Sequence, residues 1–252
     1  MRKERRMIGL ALCLALVLAA FGAAAEGAVH GNVSGWTWTQ YGTQAQGVCL
    51  GDRLDIDGDG VEEYVYFDQY GDREYSILQF VPDPALVAGG AADIGAYIHL
   101  TPGVHYVNGD GLSNGTFADG LDTWDMEYLN AAFLREADGL VYACVTACVR
   151  GANGVPEVYP EFFRLAEGEV AFAPMETSYR ELLPARWEGV PLTALTGVTC
   201  RYHEGLGRWT LVLEQYADAT WGEPHYGECL ETWCALEDGA LTVLEQRYVA
   251  AE

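Results

Sequence analysis

At 252 residues, with half of them apolar, the chain can bury the core of one large domain or two small ones. Its 37 acidic residues outweigh 14 basic ones for a formal charge of −23. Such a surface repels phosphate backbones and argues against nucleic acid as a partner.

The chain opens with a basic Met1-Arg2-Lys3-Glu4-Arg5-Arg6, an apolar run from Met7 to Phe21, and Ala23-Ala24-Ala25 before Glu26. This is the pattern of a signal peptide over 1–25, cleaved after Ala25, with an uncleaved anchor as the alternative. No later apolar run is long enough to cross a membrane. Removing 1–25 takes four basic residues and one acid, leaving 10 Arg, no Lys and 36 acids, or 10 − 36 = −26. The expected location is secreted or extracellular, periplasmic or cell-surface. Trp36-Thr37-Trp38 then places two indoles on one face of an N-terminal strand, as core packing or as a sugar platform.

The most informative stretch is Asp55-Ile56-Asp57-Gly58-Asp59-Gly60-Val61-Glu62-Glu63. Alternate acids in a curled loop converge as oxygen ligands for a hard cation such as Ca2+, which takes six to eight oxygens. The predicted ligands are the carboxylates of Asp55, Asp57 and Asp59, the carbonyl of Val61 and the carboxylate of Glu63. The twelfth position is Tyr66 rather than Glu, and a strand follows, so an EF-hand does not fit. A DxDxDG loop feeding a β-strand resembles the calcium loop of FG-GAP and VCBS repeats, the units of integrin-type propellers. The resemblance covers about fifteen residues, and Glu63 stands where that family usually has Asp. It implies a calcium-binding, propeller-like, extracellular protein. Asn108-Gly109-Asp110 is a partial second copy and reads as a polar turn.

Downstream, short segments rich in Val, Tyr, Trp, Thr and Phe alternate with turns, the signature of an all-β protein. Gly71, Gly139 and Gly207 recur at intervals of 68, each followed by a second hairpin turn at Gly103, Gly168 or Gly239. We read a single all-β domain over 26–252, built from three four-stranded antiparallel meanders near 62–107, 126–174 and 198–249. A small or partial β-propeller is the first expectation and a β-sandwich the alternative. Asp83–Ala96 is expected to be an irregular loop. Thr177 or Ser178 with Glu181 predicts a short capped helix ended by Pro184.

Six cysteines follow the signal: Cys49, Cys144, Cys148, Cys200, Cys229 and Cys234. Disulfides, with 15 possible pairings, and buried free thiols are both open, except that Cys144 and Cys148 on one strand cannot bond each other. His99 and His105 flank a turn without a third ligand. His30, His203 and His225 fit no pattern. No GxSxG, HExxH or phosphate loop occurs, and no carboxylate pair stands out. Asn32-Val33-Ser34 and Asn114-Gly115-Thr116 fit the glycosylation pattern. The expected function is a non-catalytic extracellular module binding a protein or glycan, with a secreted polysaccharide hydrolase as the alternative.

Overall fold

The structure, a computed structural model, describes residues 29–41, 44–70, 75–88, 95–100, 115–116, 122–123, 126–136, 139–150, 156–217, 228–237 and 239–250. Residues 1–25, where a signal peptide is expected, His105, His225 and the turn at Asn108–Asp110 lie outside the described residues, as do the side chains of Trp36, Trp38 and Cys148. Among the described residues no helix is long and apolar enough to cross a membrane.

The fold is all-β and antiparallel, as the alternation predicts. The strands are β1 Gly31–Tyr41, β2 Gln44–Gly51, β3 Tyr64–Tyr70, β4 Tyr75–Val81, β5 Tyr97–His99, β6 Gly115–Thr116, β7 Asp122–Thr123, β8 Met126–Arg135 and β9 Val141–Arg150. They continue with β10 Pro156–Leu165, β11 Ala173–Met175, β12 Arg186–Trp187, β13 Val190–Pro191, β14 Gly197–His203, β15 Arg208–Tyr216, β16 Cys229–Glu237 and β17 Ala240–Val249. Gly139 and Gly207 close the hairpins β8–β9 and β14–β15 at φ +81° and +65°, a region that a side chain disfavours.

Among the described residues the strands form antiparallel runs of three or four, and they associate differently from separate blades. β8–β11 form one run and β3–β5 another, and β1–β2 join them into a nine-stranded sheet of order β11-β10-β9-β8-β1-β2-β3-β4-β5. Its two ends meet: Tyr97 on β5 donates to the Val170 carbonyl at 2.8 Å, and Phe172 donates back to Tyr97 at 2.9 Å. The sheet is therefore a nearly closed barrel. The third run stands alone as the four-stranded sheet β14-β15-β16-β17.

Side-chain alternation explains this arrangement. Leu129, Ala131 and Phe133 on β8, with Val141, Ala143 and Val145 on β9, fill the barrel. Their neighbours Ala132, Leu134, Tyr142 and Cys144 pack outward against Val198, Cys200, Leu211 and Leu213 of the second sheet. The central barrel strands are thus buried on both faces. Two local readings need adjusting. Asp83–Ala96 begins with a single turn of helix, α1 Pro84–Ala88, where Asp83 Oδ1 accepts from the Ala85 N–H at 2.9 Å. The helix predicted after Ser178 is a four-residue 3-10 turn, Tyr179–Leu182, and Ser178 makes no side-chain cap.

Candidate metal centre

The acidic loop is rooted in the barrel core. Leu54 and Ile56 are buried at 0% and 2% exposure within the barrel core, and they carry Asp55, itself 2% exposed, into the same region. The loop's two ends are clamped together: the Leu54 N–H donates to Glu63 O at 3.1 Å and the Glu63 N–H donates to Leu54 O at 2.7 Å.

Between these ends the loop is wound by its own carboxylates. Asp55 accepts from the Gly58 N–H at 2.8 Å through Oδ1 and from the Gly60 N–H at 3.0 Å through Oδ2. Asp57 Oδ1 accepts from Asp59 N–H at 3.1 Å, and Asp59 Oδ1 from Val61 N–H at 2.7 Å. Gly58 and Gly60 sit at φ +79° and +88°, which lets successive N–H groups point inward. The outcome is that one carboxylate oxygen from each of Asp55, Asp57 and Asp59 lies within 4.8 Å of the others. Two oxygens on one calcium ion, at 2.3–2.6 Å each, lie no more than about 5.2 Å apart. The spacing therefore fits a single divalent ion, and each carboxylate keeps lone pairs beyond its backbone bond.

The other two predicted ligands are less engaged. The cluster does not include Glu63. Its Oε2 accepts from the Ile56 N–H at 2.9 Å, and the residue is buried. Burial, with the charges of Asp57, Asp55 and Asp59 adding, pushes its carboxyl up to about 7 against the opposing Ile56 bond. Val61 is 47% exposed, and its N–H is spent on Asp59. Two arginines that the motif does not announce support the loop. Arg53 donates to the Glu62 carbonyl at 2.8 Å and lies over the Tyr64 ring. Arg135, from the end of β8, donates to the Ile56 carbonyl at 3.3 Å.

Other sequence candidates disperse. His99 is exposed beside Tyr97, whereas His203 is buried, bonds Glu245 at 2.8 Å and stands edge-on to Trp233. Cys49, Cys144, Cys200, Cys229 and Cys234 are free thiols. Burial pushes Cys49, Cys200 and Cys234 up to about 12 and Cys229 to about 11, so none is poised as a nucleophile. Asn32 does not offer its amide to a glycan. Its Nδ2 donates to the Cys200 carbonyl at 2.9 Å and its Oδ1 accepts from the Cys200 N–H at 2.7 Å.

One carboxylate pair escaped the sequence reading. Glu214 and Glu231 face each other across β15 and β16 and share Arg201. The second oxygen of Glu231 accepts from Trp233 Nε1 at 3.1 Å, so this network reads as a tie across three strands. Its sequence trace is slight: Glu214 and Glu231 each interrupt an otherwise largely apolar strand segment.

No family model matches the chain, and neither a curated protein nor a solved structure matches it.

Proposed function

We propose that the Asp55–Glu63 loop binds one calcium ion and that the chain is exported. Outside the cell it acts as a calcium-stabilised, non-catalytic module that binds a protein or glycan. The observation that carries the reading is the convergence of three carboxylates within 4.8 Å on a loop whose Leu54 and Ile56 belong to the barrel core. Asp55, Asp57 and Asp59 would hold the ion, with Val61 and Glu63 completing the shell as the loop closes. Calcium is favoured over magnesium because magnesium demands near-ideal octahedral geometry and sheds water reluctantly. The resemblance of DxDxDG to FG-GAP and VCBS loops points the same way, as does the secretory pattern of residues 1–25.

An ion that binds only the folded loop stabilises it by RT ln(1 + [L]/Kd). The test is thermal unfolding of decalcified protein titrated with calcium and then with magnesium. A calcium-specific rise in midpoint supports the reading, and an unchanged midpoint in both ions would sink it.

A further inference from the structure

The fold deals with its sheet edges in different ways. The two ends of the nine-stranded sheet meet through Tyr97, Val170 and Phe172, and the edge of β14 receives Asn32 against both backbone groups of Cys200. β17 forms the other edge of the second sheet, and among the described strands Ala240–Val249 pairs only with β16. No further backbone hydrogen bond among the described residues involves it. None of its residues is fully buried, whereas Leu230, Thr232, Cys234 and Leu236 on neighbouring β16 are at 0% exposure. An edge strand of this length presents a row of N–H and C=O groups that a further strand can extend.

The sequence of β17 says which strand fits. Leu244-Glu245-Gln246-Arg247-Tyr248 is its own complement when laid antiparallel on itself about Gln246. Glu245 then faces the partner's Arg247, Arg247 faces the partner's Glu245, and the apolar Leu244 and Tyr248 meet at the ends. Opposite charges directly across a ladder stabilise it and like charges destabilise it. Centring the pairing on Glu245 or Arg247 instead sets like charges face to face. Within one copy Arg247 donates to Glu245 at 3.3 Å from both Nε and Nη2, and Glu245 bonds His203 at 2.8 Å. A second copy adds a counter-charge to each group without removing these bonds. The bulge in the β16–β17 pairing leaves Leu244 without an opposite residue, so the regular stretch is Glu245–Val249 and the ladder centres on Glu245, Gln246 and Arg247.

We propose that the free edge of β17 binds a second copy of this chain. The two β17 strands pair antiparallel about a two-fold axis at Gln246 and join two four-stranded sheets into one. So short a ladder belongs with weak, reversible contacts, with a dissociation constant on the order of 10⁻⁵–10⁻⁴ M. The acidic charge of each copy opposes association at long range, but physiological salt screens it beyond about 8 Å. The four charges at the axis lie closer than that, at about 5 Å between facing residues. This edge is separate from the acidic loop, and its test is independent of calcium.

The test is sedimentation of the full-length chain in physiological salt, from about 10 μM to about 1 mM, which brackets the expected constant. The expected result is a reversible monomer–dimer equilibrium. Arg247→Glu alone, or Glu245→Arg alone, sets like charges opposite each other on both sides of the axis and should weaken the dimer about tenfold or more. Both substitutions in one chain restore opposite charges and should restore the dimer. Mixing the two single variants should give a heterodimer, because one then carries two acids and the other two bases. Circular dichroism melting checks that each variant is folded, and the double variant serves if a single one is not. A chain that stays monomeric up to about 1 mM, or a dimer that neither single variant weakens, would overturn the proposal. Weakening by the single variants with no recovery in the double variant or the mixture would overturn the antiparallel pairing about Gln246.

Discussion

The barrel interior and the seam between the barrel and the second sheet are two hydrophobic cores built by different means. Inside the barrel the packing is mainly apolar, with Phe80 edge-on to Phe133 at 5.4 Å and stacked on Phe172 at 5.7 Å, and the buried acids Asp55 and Glu63 enter it only with the acidic loop. The nearly closed sheet pairs most of its strands with one another, so it leaves few edges for side chains to cover. The seam also has an apolar centre, but its rim carries buried polar ties. Asn32 pairs with both backbone groups of Cys200, taking the place of a neighbouring strand along the edge of β14. Glu136 accepts from the Leu236 N–H at 3.0 Å and from the Arg208 guanidinium. A sheet laid against another leaves edges that must find partners, and here side chains supply them. Hydrophobic contact is non-directional; these bonds set the docking angle.

This contrast can be broken or sharpened by substitution. The largest effect belongs to the barrel: Phe133→Ala should cost about 3–5 kcal/mol in urea unfolding, through lost transfer energy and an unfilled cavity. At the seam, Glu136→Ala leaves the Leu236 N–H and Arg208 without their acceptor and should cost about 2–3 kcal/mol. Asn32→Ala, which opens the edge of β14, should cost about 1–2 kcal/mol. Both seam variants should also speed hydrogen exchange in β14–β17 more than in β1–β10, because the second sheet loosens before the barrel opens. Uniform acceleration in all strands would mean that the two cores act as one cooperative unit.

Two smaller effects probe the acidic loop and His30. At 1 mM calcium, with a dissociation constant of roughly 0.1–1 mM, the loop should add about 0.4–1.4 kcal/mol of stability. Asp57→Ala should erase that gain, read as a thermal midpoint that no longer responds to calcium. The smallest effect concerns His30, which stacks on Trp209 at 3.8 Å. Burial lowers its pKa, and the charge of Asp52 only partly opposes this. The folded state therefore prefers neutral imidazole, and below the ordinary value of about 6.5 the unfolded chain binds more protons. The expected outcome, read as the difference between the unsubstituted chain and His30→Phe so that the opposite contribution of Glu63 cancels, is a shallow loss of stability as pH falls through that value, measured by urea unfolding across the range.

Much of the local structure was legible before any coordinates. Turns at Gly139, Gly168, Gly207 and Gly239 all adopt positive φ, because a hairpin's tight turn is decided by a few adjacent residues. The convergence of Asp55, Asp57 and Asp59 was legible for the same reason: alternate acids and Gly60 act within one loop. The both-face burial of β8 and β9 had a readable trace too. Ala131-Ala132-Phe133-Leu134 and Val141 to Val145 are continuous apolar runs rather than alternating ones, which is how a strand covered on two sides reads. The interval of 68 residues suggested three equal four-stranded units, whereas the described strands run as β3–β5, β8–β11 and β14–β17, three, four and four strands.

By itself, then, the sequence determined an antiparallel all-β chain, its hairpins and one acidic loop shaped for a cation, because each depends on neighbours a few residues away. Only the tertiary structure decided that β1 and β2 would join two of the three runs into a nearly closed barrel, and that the third would dock outside it. The residues that settle this docking pair across separations of 168 for Asn32 with Cys200, 100 for Glu136 with Leu236 and 72 for Glu136 with Arg208. No local periodicity encodes such pairs.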